Sequence, residues 1–333
     1  MTNRPGWLLQ ARPAIKKIGK YWFFLLIVAA LAFAGRYLVR EAGSIHHPLH
    51  FSAGSLVATL FLQATYWFLT SLLWKRIVAK VSAYDISVKE SFYQLCLVSI
   101  GKYLPGKIWG MVARGSHMKR RHGIAPEQII NATYVEQFFV LYAGVLVIAV
   151  TLALTYVAFW TWILVLVAIA GAVVGQRYNQ AIVLLISRVY AWSGRRGKSG
   201  RPVGKIDPWT FYGLLLSYVA IWLLVGLVFI GVYCTFFSAP LNYRIVCTMI
   251  LANAVGYTAG FLAIFAPGGI GVREAVSSGL LALQMPLASA VLLSVLFRLW
   301  LVTTEIALGL VAFLGSGWHL VSLTGKSGPA DDG

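Results

Sequence analysis

The sequence predicts an all-α polytopic membrane protein of about six transmembrane helices plus two re-entrant helical hairpins. Three observations carry that expectation. Apolar runs long enough to cross a bilayer as helices, which takes about 20 residues, recur along the chain. Hydrophobic residues make up 59% of the 333 residues and charged residues only 11%, against about 25% charged in a soluble domain. The formal net charge of +18 lies between the apolar runs rather than in one module. That placement argues against a nucleic-acid partner and fits topology signals and attraction to anionic lipid headgroups.

Taken in order, residues 1–20 carry Arg4, Arg12, Lys16, Lys17 and Lys20 with no acid, which predicts a basic cytoplasmic N-terminus. Tyr21–Leu38 follows as the first span. It is long enough to cross and shows no small-residue cleavage site, so it reads as a retained helix rather than a signal peptide. The outer loop after it holds His46, His47 and His50, read as an exposed polar cluster rather than a metal site. Ser52–Trp74 returns as the second span, closed inside by Lys75, Arg76 and Lys80.

Ser91–Leu104 is apolar but too short to cross. A second short run follows, ending in Arg114, Lys119, Arg120 and Arg121. With both flanks basic, the economical solution is a re-entrant hairpin dipping from the cytoplasmic face, tipped by Leu104-Pro105-Gly106. An amphipathic pair lying on the surface is the alternative. Ile129–Tyr156 and Val157–Gly175 are the third and fourth spans, residues 176–208 a basic cytoplasmic loop containing an amphipathic helix at Asn179–Trp192, and Trp209–Phe236 the fifth span. Arg244–Phe265 and Val272–Met285 form the arms of the second hairpin. Leu287–Leu314 is the last span, and 315–333 a flexible tail. The chain thus reads as one integral membrane domain, residues 21–314. Of the 28 lysines and arginines, only Arg36, Arg40 and Arg244 fall outside in this topology; Lys102, Lys107, Arg273 and Arg298 fall near or within the membrane, and the rest fall inside. Arg244–Phe265 is also long enough to span alone, in which case the segment after it faces the cytoplasm and the C-terminus lies outside.

The candidate site sits at the two breaks. In Ala266-Pro267-Gly268-Gly269-Ile270-Gly271-Val272-Arg273-Glu274 a proline without an N–H and three glycines interrupt any helix, beside two charges. Broken backbone at membrane depth is tolerated only against protein or a watery cavity. Pro105-Gly106-Lys107-Ile108 resembles Pro267-Gly268-Gly269-Ile270, and opposed hairpins of this kind form a candidate inverted repeat with its site where the broken helices meet. The hairpin tips are Pro105, Gly106, Pro267, Gly268, Gly269 and Gly271. Thirty-one residues after each proline stand Glu136 and Arg298, opposite charges that could pair across the pseudo-axis. Glu136, Glu274, Arg298 and Glu305 form the expected charge network, since a charge at a helix centre costs about 2.5–3.5 kcal/mol unless it faces a cavity or a partner. Lys102, Tyr103, Lys107, Arg114 and Arg273 are the expected substrate-binding residues, suited to an anionic headgroup. The competing reading makes all of these packing pairs that fix the helices. Cys96, Cys234 and Cys247 show no ligand or disulfide spacing, and neither metal nor cofactor is expected. No phosphate loop, HExxH or nucleophile elbow occurs, so no catalytic activity is expected.

Gly101-Lys102-Tyr103-Leu104-Pro105-Gly106-Lys107-Ile108-Trp109 and the 266–274 stretch resemble the two signature segments of the lysylphosphatidylglycerol synthase transmembrane, or flippase-like domain, family. The resemblance covers roughly residues 15–315. It implies a bacterial or archaeal inner-membrane protein that moves lipids, in a family whose stand-alone members are associated with aminoacyl phospholipids, polyprenyl-phosphate sugars and hopanoids. With the basic residues above, the expected cargo is an anionic phospholipid or a polyprenyl-phosphate-linked lipid. Full-length synthases in that family add a soluble aminoacyl-transferase domain; the 333 residues are expected to be a stand-alone member without it. Two other roles remain open: a lipid-presenting accessory subunit of a membrane glycosyl- or aminoacyl-transferase, and a membrane scaffold.

Overall fold

The computed structural model describes residues 36, 50–103, 109–179, 181, 206–238, 240–263 and 266–315. The basic N-terminus, the expected first span (apart from Arg36), His46 and His47, the tip Leu104-Pro105-Gly106 with Lys107, most of the 176–208 loop and the tail beyond Gly315 lie outside those residues. Among the described residues the chain forms nine α-helices and no β-strand.

Helix α1 (Ala53–Ser82) starts where the Ser52 hydroxyl accepts from the Ser55 N–H at 3.3 Å, satisfying one orphan donor of the first turn. It runs about two turns past Trp74, so Lys75, Arg76 and Lys80 ride on the helix itself. Helices α2 (Val88–Gly101) and α3 (Trp109–His122) have 14 residues each, roughly 21 Å, which is short of a hydrocarbon core of about 30 Å. They pack on each other, and a Cβ on Gly101 would collide with the Gly110 backbone. The two arms therefore touch main chain to main chain near the tip. Helix α4 (Pro126–Tyr156) opens with proline at its first turn, where the missing N–H has no partner to lose. Helix α5 (Phe159–Arg177) follows. Helix α6 (Pro208–Phe236) is capped by Asp207 and α7 (Tyr243–Leu262) by Asn242, each side chain accepting the N–H three residues on at 2.9 Å. A 3-10 turn at Pro267–Gly269 leads into α8 (Val272–Leu281), and α9 (Leu287–Gly315) closes the chain.

Six described helices, α1, α4, α5, α6, α7 and α9, are long and apolar enough to cross a membrane. The protein is an all-α polytopic membrane protein. The six are not the expected six, because the first expected span is outside the described residues and α7 joins the set. At 20 residues α7 is long enough to cross alone, as the sequence allowed, while α8 has only 10, so the two arms of the second hairpin are unequal.

Helix α4 is the central post, packed by α1, α3, α5, α6 and α7. Trp74, Ile77, Met118, Phe139, Phe211 and Tyr218 fill the space around it. A second cluster, with Phe229 stacked on Phe297 at 4.1 Å, joins α6 to α7, α8 and α9. Lipid tails are as apolar as leucine, so close backbone approach does much of the helix binding in a membrane. Gly256 and Gly260, one turn apart on α7, supply it for α8. A Cβ at Gly256 would strike the Ser277 hydroxyl, and one at Gly260 would strike Arg273. By contrast, among the described residues α5 packs chiefly on α4 and, lightly, on α6. Its Phe159 and Trp160 are each 75% exposed, as a lipid-facing helix requires.

Candidate functional site

Two buried charge centres flank the place where the helices break. The first is Arg114 on α3, fully buried. Its Nη1 donates to Glu136 Oε2 of α4 at 2.6 Å, its Nε donates to the Gln94 carbonyl at 3.1 Å, and the Trp74 ring lies 3.7 Å from the guanidinium carbon. Gln94 is itself held, its Oε1 accepting from Trp74 Nε1 at 2.8 Å. Desolvating two charges is expensive, and this geometry offsets it with a short pair, a second hydrogen bond and an aromatic face.

The second centre forms around the 266–274 break. Gly268 adopts φ 61°, Gly269 72° and Gly271 84°, a left-handed run that side chains resist. Gly268 also admits its neighbours, since a Cβ there would lie 2.9 Å from the Tyr103 ring and 3.1 Å from Arg298 Nη2. Arg298 Nη2 donates to the Gly268 carbonyl at 2.8 Å, and Arg298 Nε lies 3.3 Å from Glu274 Oε1. The other oxygen of Glu274 accepts from the Gly271 N–H at 2.6 Å, capping α8. Arg273 lies across Gly260 and Gly269 with its guanidinium carbon 4.2 Å from the Tyr257 ring centre. Arg298 falls at the middle of the Leu287–Leu310 span, so the broken backbone it holds sits beside the centre of a membrane helix.

The two broken segments meet directly. The Gly268 N–H donates to the Lys102 carbonyl at 3.1 Å. Lys102 Nζ forms an ion pair with Glu305 Oε1, and the Tyr103 hydroxyl donates to Glu305 Oε2 at 2.7 Å. Glu305 lies two turns beyond Arg298 on α9, which puts both on one face of that helix. The end of α2 and the second break are thereby fastened to α9 at two levels.

Beside this junction a crevice of about 330 Å³, its open mouth included, lies between α7, α8 and α9. Arg273, Glu274 and Arg298 line it together with Asn253, Tyr257 and Ser294. The structure therefore gathers Lys102, Tyr103, Arg273, Glu274, Arg298 and Glu305 at one junction. Arg114 and Glu136 form a separate centre, and Lys107 is outside the described residues. Glu136 pairs with Arg114 rather than with Arg298, because α3 packs directly on α4 while Arg298 is taken by Glu274. Asn253, Tyr257 and Ser294 escaped the sequence reading, which followed charge. The available signal was spacing: Asn253 with Tyr257, and Ser294 with Arg298, each four apart in an apolar helix.

A third cluster ties the basic end of α3 to the start of α2. Glu90 Oε1 lies 2.7 Å from His122 Nε2, 3.3 Å from His117 Nε2 and 3.8 Å from Arg121 Nε. The Tyr84 hydroxyl bonds His122 Nδ1 at 2.7 Å. Burial pulls the His117 imidazole below its usual pKa, with the Glu90 carboxylate opposing.

No curated protein matches the chain in sequence. The family model described as the lysylphosphatidylglycerol synthase TM region matches residues 18–309, which takes in both broken segments and both charge centres, and the chain belongs to that family.

Proposed function

We propose that this protein is a lipid translocase of the bacterial or archaeal inner membrane, with its N-terminus in the cytoplasm, moving an anionic phospholipid or a polyprenyl-phosphate-linked lipid. The observation that carries the reading is the meeting of broken backbone with charge at the middle of the α9 span, beside a crevice. A headgroup crossing a bilayer needs polar partners at the depth where lipid offers none. Here the acyl chains stay in the bilayer while the headgroup passes along Lys102, Arg273 and Arg298. The α2–α3 pair and the α7–α8 pair act as opposed re-entrant hairpins of an inverted repeat, whose meeting point is where such folds place their substrate. In each half a charge on the second arm pairs with the charge 31 residues past the proline: Arg114 with Glu136, and Glu274 with Arg298. Nothing in the reading requires bond-making chemistry, so a lipid-modifying transferase would be a separate partner.

The test is reconstitution of the full chain in vesicles holding phosphatidylglycerol with a fluorophore on an acyl chain. Inward-facing label becomes accessible to an impermeant quencher only if lipid crosses. The wild type is expected to speed that exchange over protein-free vesicles, and Arg273→Gln to slow it about tenfold, as for loss of one charge-assisted hydrogen bond. Exchange no faster than in protein-free vesicles would overturn the reading.

A further inference from the structure

The crevice between α7, α8 and α9 is asymmetric in its chemistry. Arg298 Nη1, Arg273 Nε, Asn253 Nδ2 and Ser294 Oγ have no hydrogen-bond partner there. Arg298 is 9% exposed, Asn253 7% and Ser294 4%, so bulk water does not serve them. The unbonded acceptors are Glu274 Oε1, already 3.3 Å from the Arg298 guanidinium, and the Ser294 hydroxyl, which can also donate. Helical spacing aims the set: Asn253 and Tyr257 on α7 face Ser294 and Arg298 on α9, with α8 closing one side through Arg273.

Buried donors left unmade are expensive, so their convergence specifies an occupant. Water is a poorer one, because each molecule brings two hydrogens to a crevice whose unbonded atoms are mostly donors. A singly charged oxyanion brings lone pairs only. Two arginines against Glu274 leave one positive charge for it to neutralise. We propose that this crevice binds one phosphodiester-type oxyanion, its non-bridging oxygens accepting from Arg298 Nη1, Asn253 Nδ2, Ser294 Oγ and Arg273 Nε. The oxyanion chemistry stands on these donors; that it arrives on a lipid rests on the translocase reading. Lys102 and Arg114 have no part in the receptor, because neither lines the crevice.

The experiment uses the purified full chain in a neutral maltoside detergent, with two probes: radiolabelled short-chain phosphatidylglycerol and inorganic phosphate, measured by equilibrium dialysis. A short-chain galactosyl diacylglycerol, which has no phosphate, is the control. Ser294→Ala and Asn253→Leu each remove a neutral donor, leave every ion pair standing and are expected to fold. Each should weaken phosphatidylglycerol binding about tenfold, as for a hydrogen bond to a charged group, and leave the galactolipid unchanged. Arg298→Lys keeps the charge but loses the fork, and should weaken binding more than either. Thr70→Val, an unbonded buried hydroxyl outside the crevice, should change nothing. Binding of phosphatidylglycerol competed by phosphate supports a lipid source, and binding of phosphate alone supports a soluble one. No binding of either probe, or binding indifferent to Ser294 and Asn253, overturns the proposal. Vesicle exchange is scored separately: binding without exchange would overturn the translocase and leave the oxyanion site, while exchange without binding would do the reverse.

Discussion

The two halves of the molecule solve the same problem with opposite signs. In the first half an arginine on the short arm meets a glutamate on the following span; in the second, a glutamate on the short arm meets an arginine. What differs is closure. Arg114 is wrapped by Glu136, the Gln94 carbonyl and the Trp74 face, with Nη2 alone lacking a partner. Arg298 lines a crevice with unbonded donors, among them its own Nη1 and Arg273 Nε, and holds a glycine carbonyl across a break. A buried charge is therefore not in itself a sign of function. The same pairing is a fastener where its surroundings complete it and a receptor where they leave donors over.

Breaking the fastener should have the largest effect. Glu136→Gln leaves Arg114 buried with no counter-charge, and removal of one partner of such a pair costs about 3–5 kcal/mol. Thermal or denaturant unfolding in micelles should show that loss, and an unchanged midpoint would mean the first centre is as open as the second. Gly268→Ala probes the second centre and should cost less. It places a methyl group against the Tyr103 ring and Arg298 at a φ of 61°, and left-handed geometry alone costs about 1–2 kcal/mol. The stability loss should come with a larger fall in lipid exchange, because the methyl pushes apart the contact between the two breaks. Stability loss without any change in exchange would show that the junction is scaffold.

Much of the fold was legible because bilayer crossing demands long apolar helices, and such runs stand out in any sequence. The ends of α1 and α8 were less so: α1 continues through Lys75, Arg76 and Lys80 because long basic side chains can reach the interface from a helix. The break at 266–274 could be read from proline and glycine alone. Its partners could not. That Glu136 belongs to Arg114 depends on which helices touch, and sequence distance from a proline does not encode that. Asn253 and Ser294 carried only the weak signal of their spacing: a lone polar residue in an apolar helix more often bonds its own backbone than a ligand, and the packed structure shows that Asn253 Nδ2 and Ser294 Oγ do not.

The smallest expected effect lies at the mouth of the first hairpin, where charge is reached by pH instead of mutation. Burial holds the His117 imidazole below its ordinary pKa of 6.5, so the folded state binds its proton less readily than the unfolded chain does. The sign follows from linkage: where the unfolded state binds more protons, stability rises with pH. The contribution of neutral His117 is thus complete above about pH 6.5 and is lost as pH falls through the lower folded value. Glu90 works against this, since its carboxylate lies 3.3 Å from the ring and welcomes the charged form, so the slope should be shallow. His117→Gln keeps a polar side chain facing Glu90 and cannot take up the proton. Unfolding midpoints measured from pH 7.5 down to 5 should fall less steeply in that variant than in the wild type. A steeper fall would mean that Glu90 prevails over burial, and that acid tightens the seam between α2 and α3 instead of loosening it.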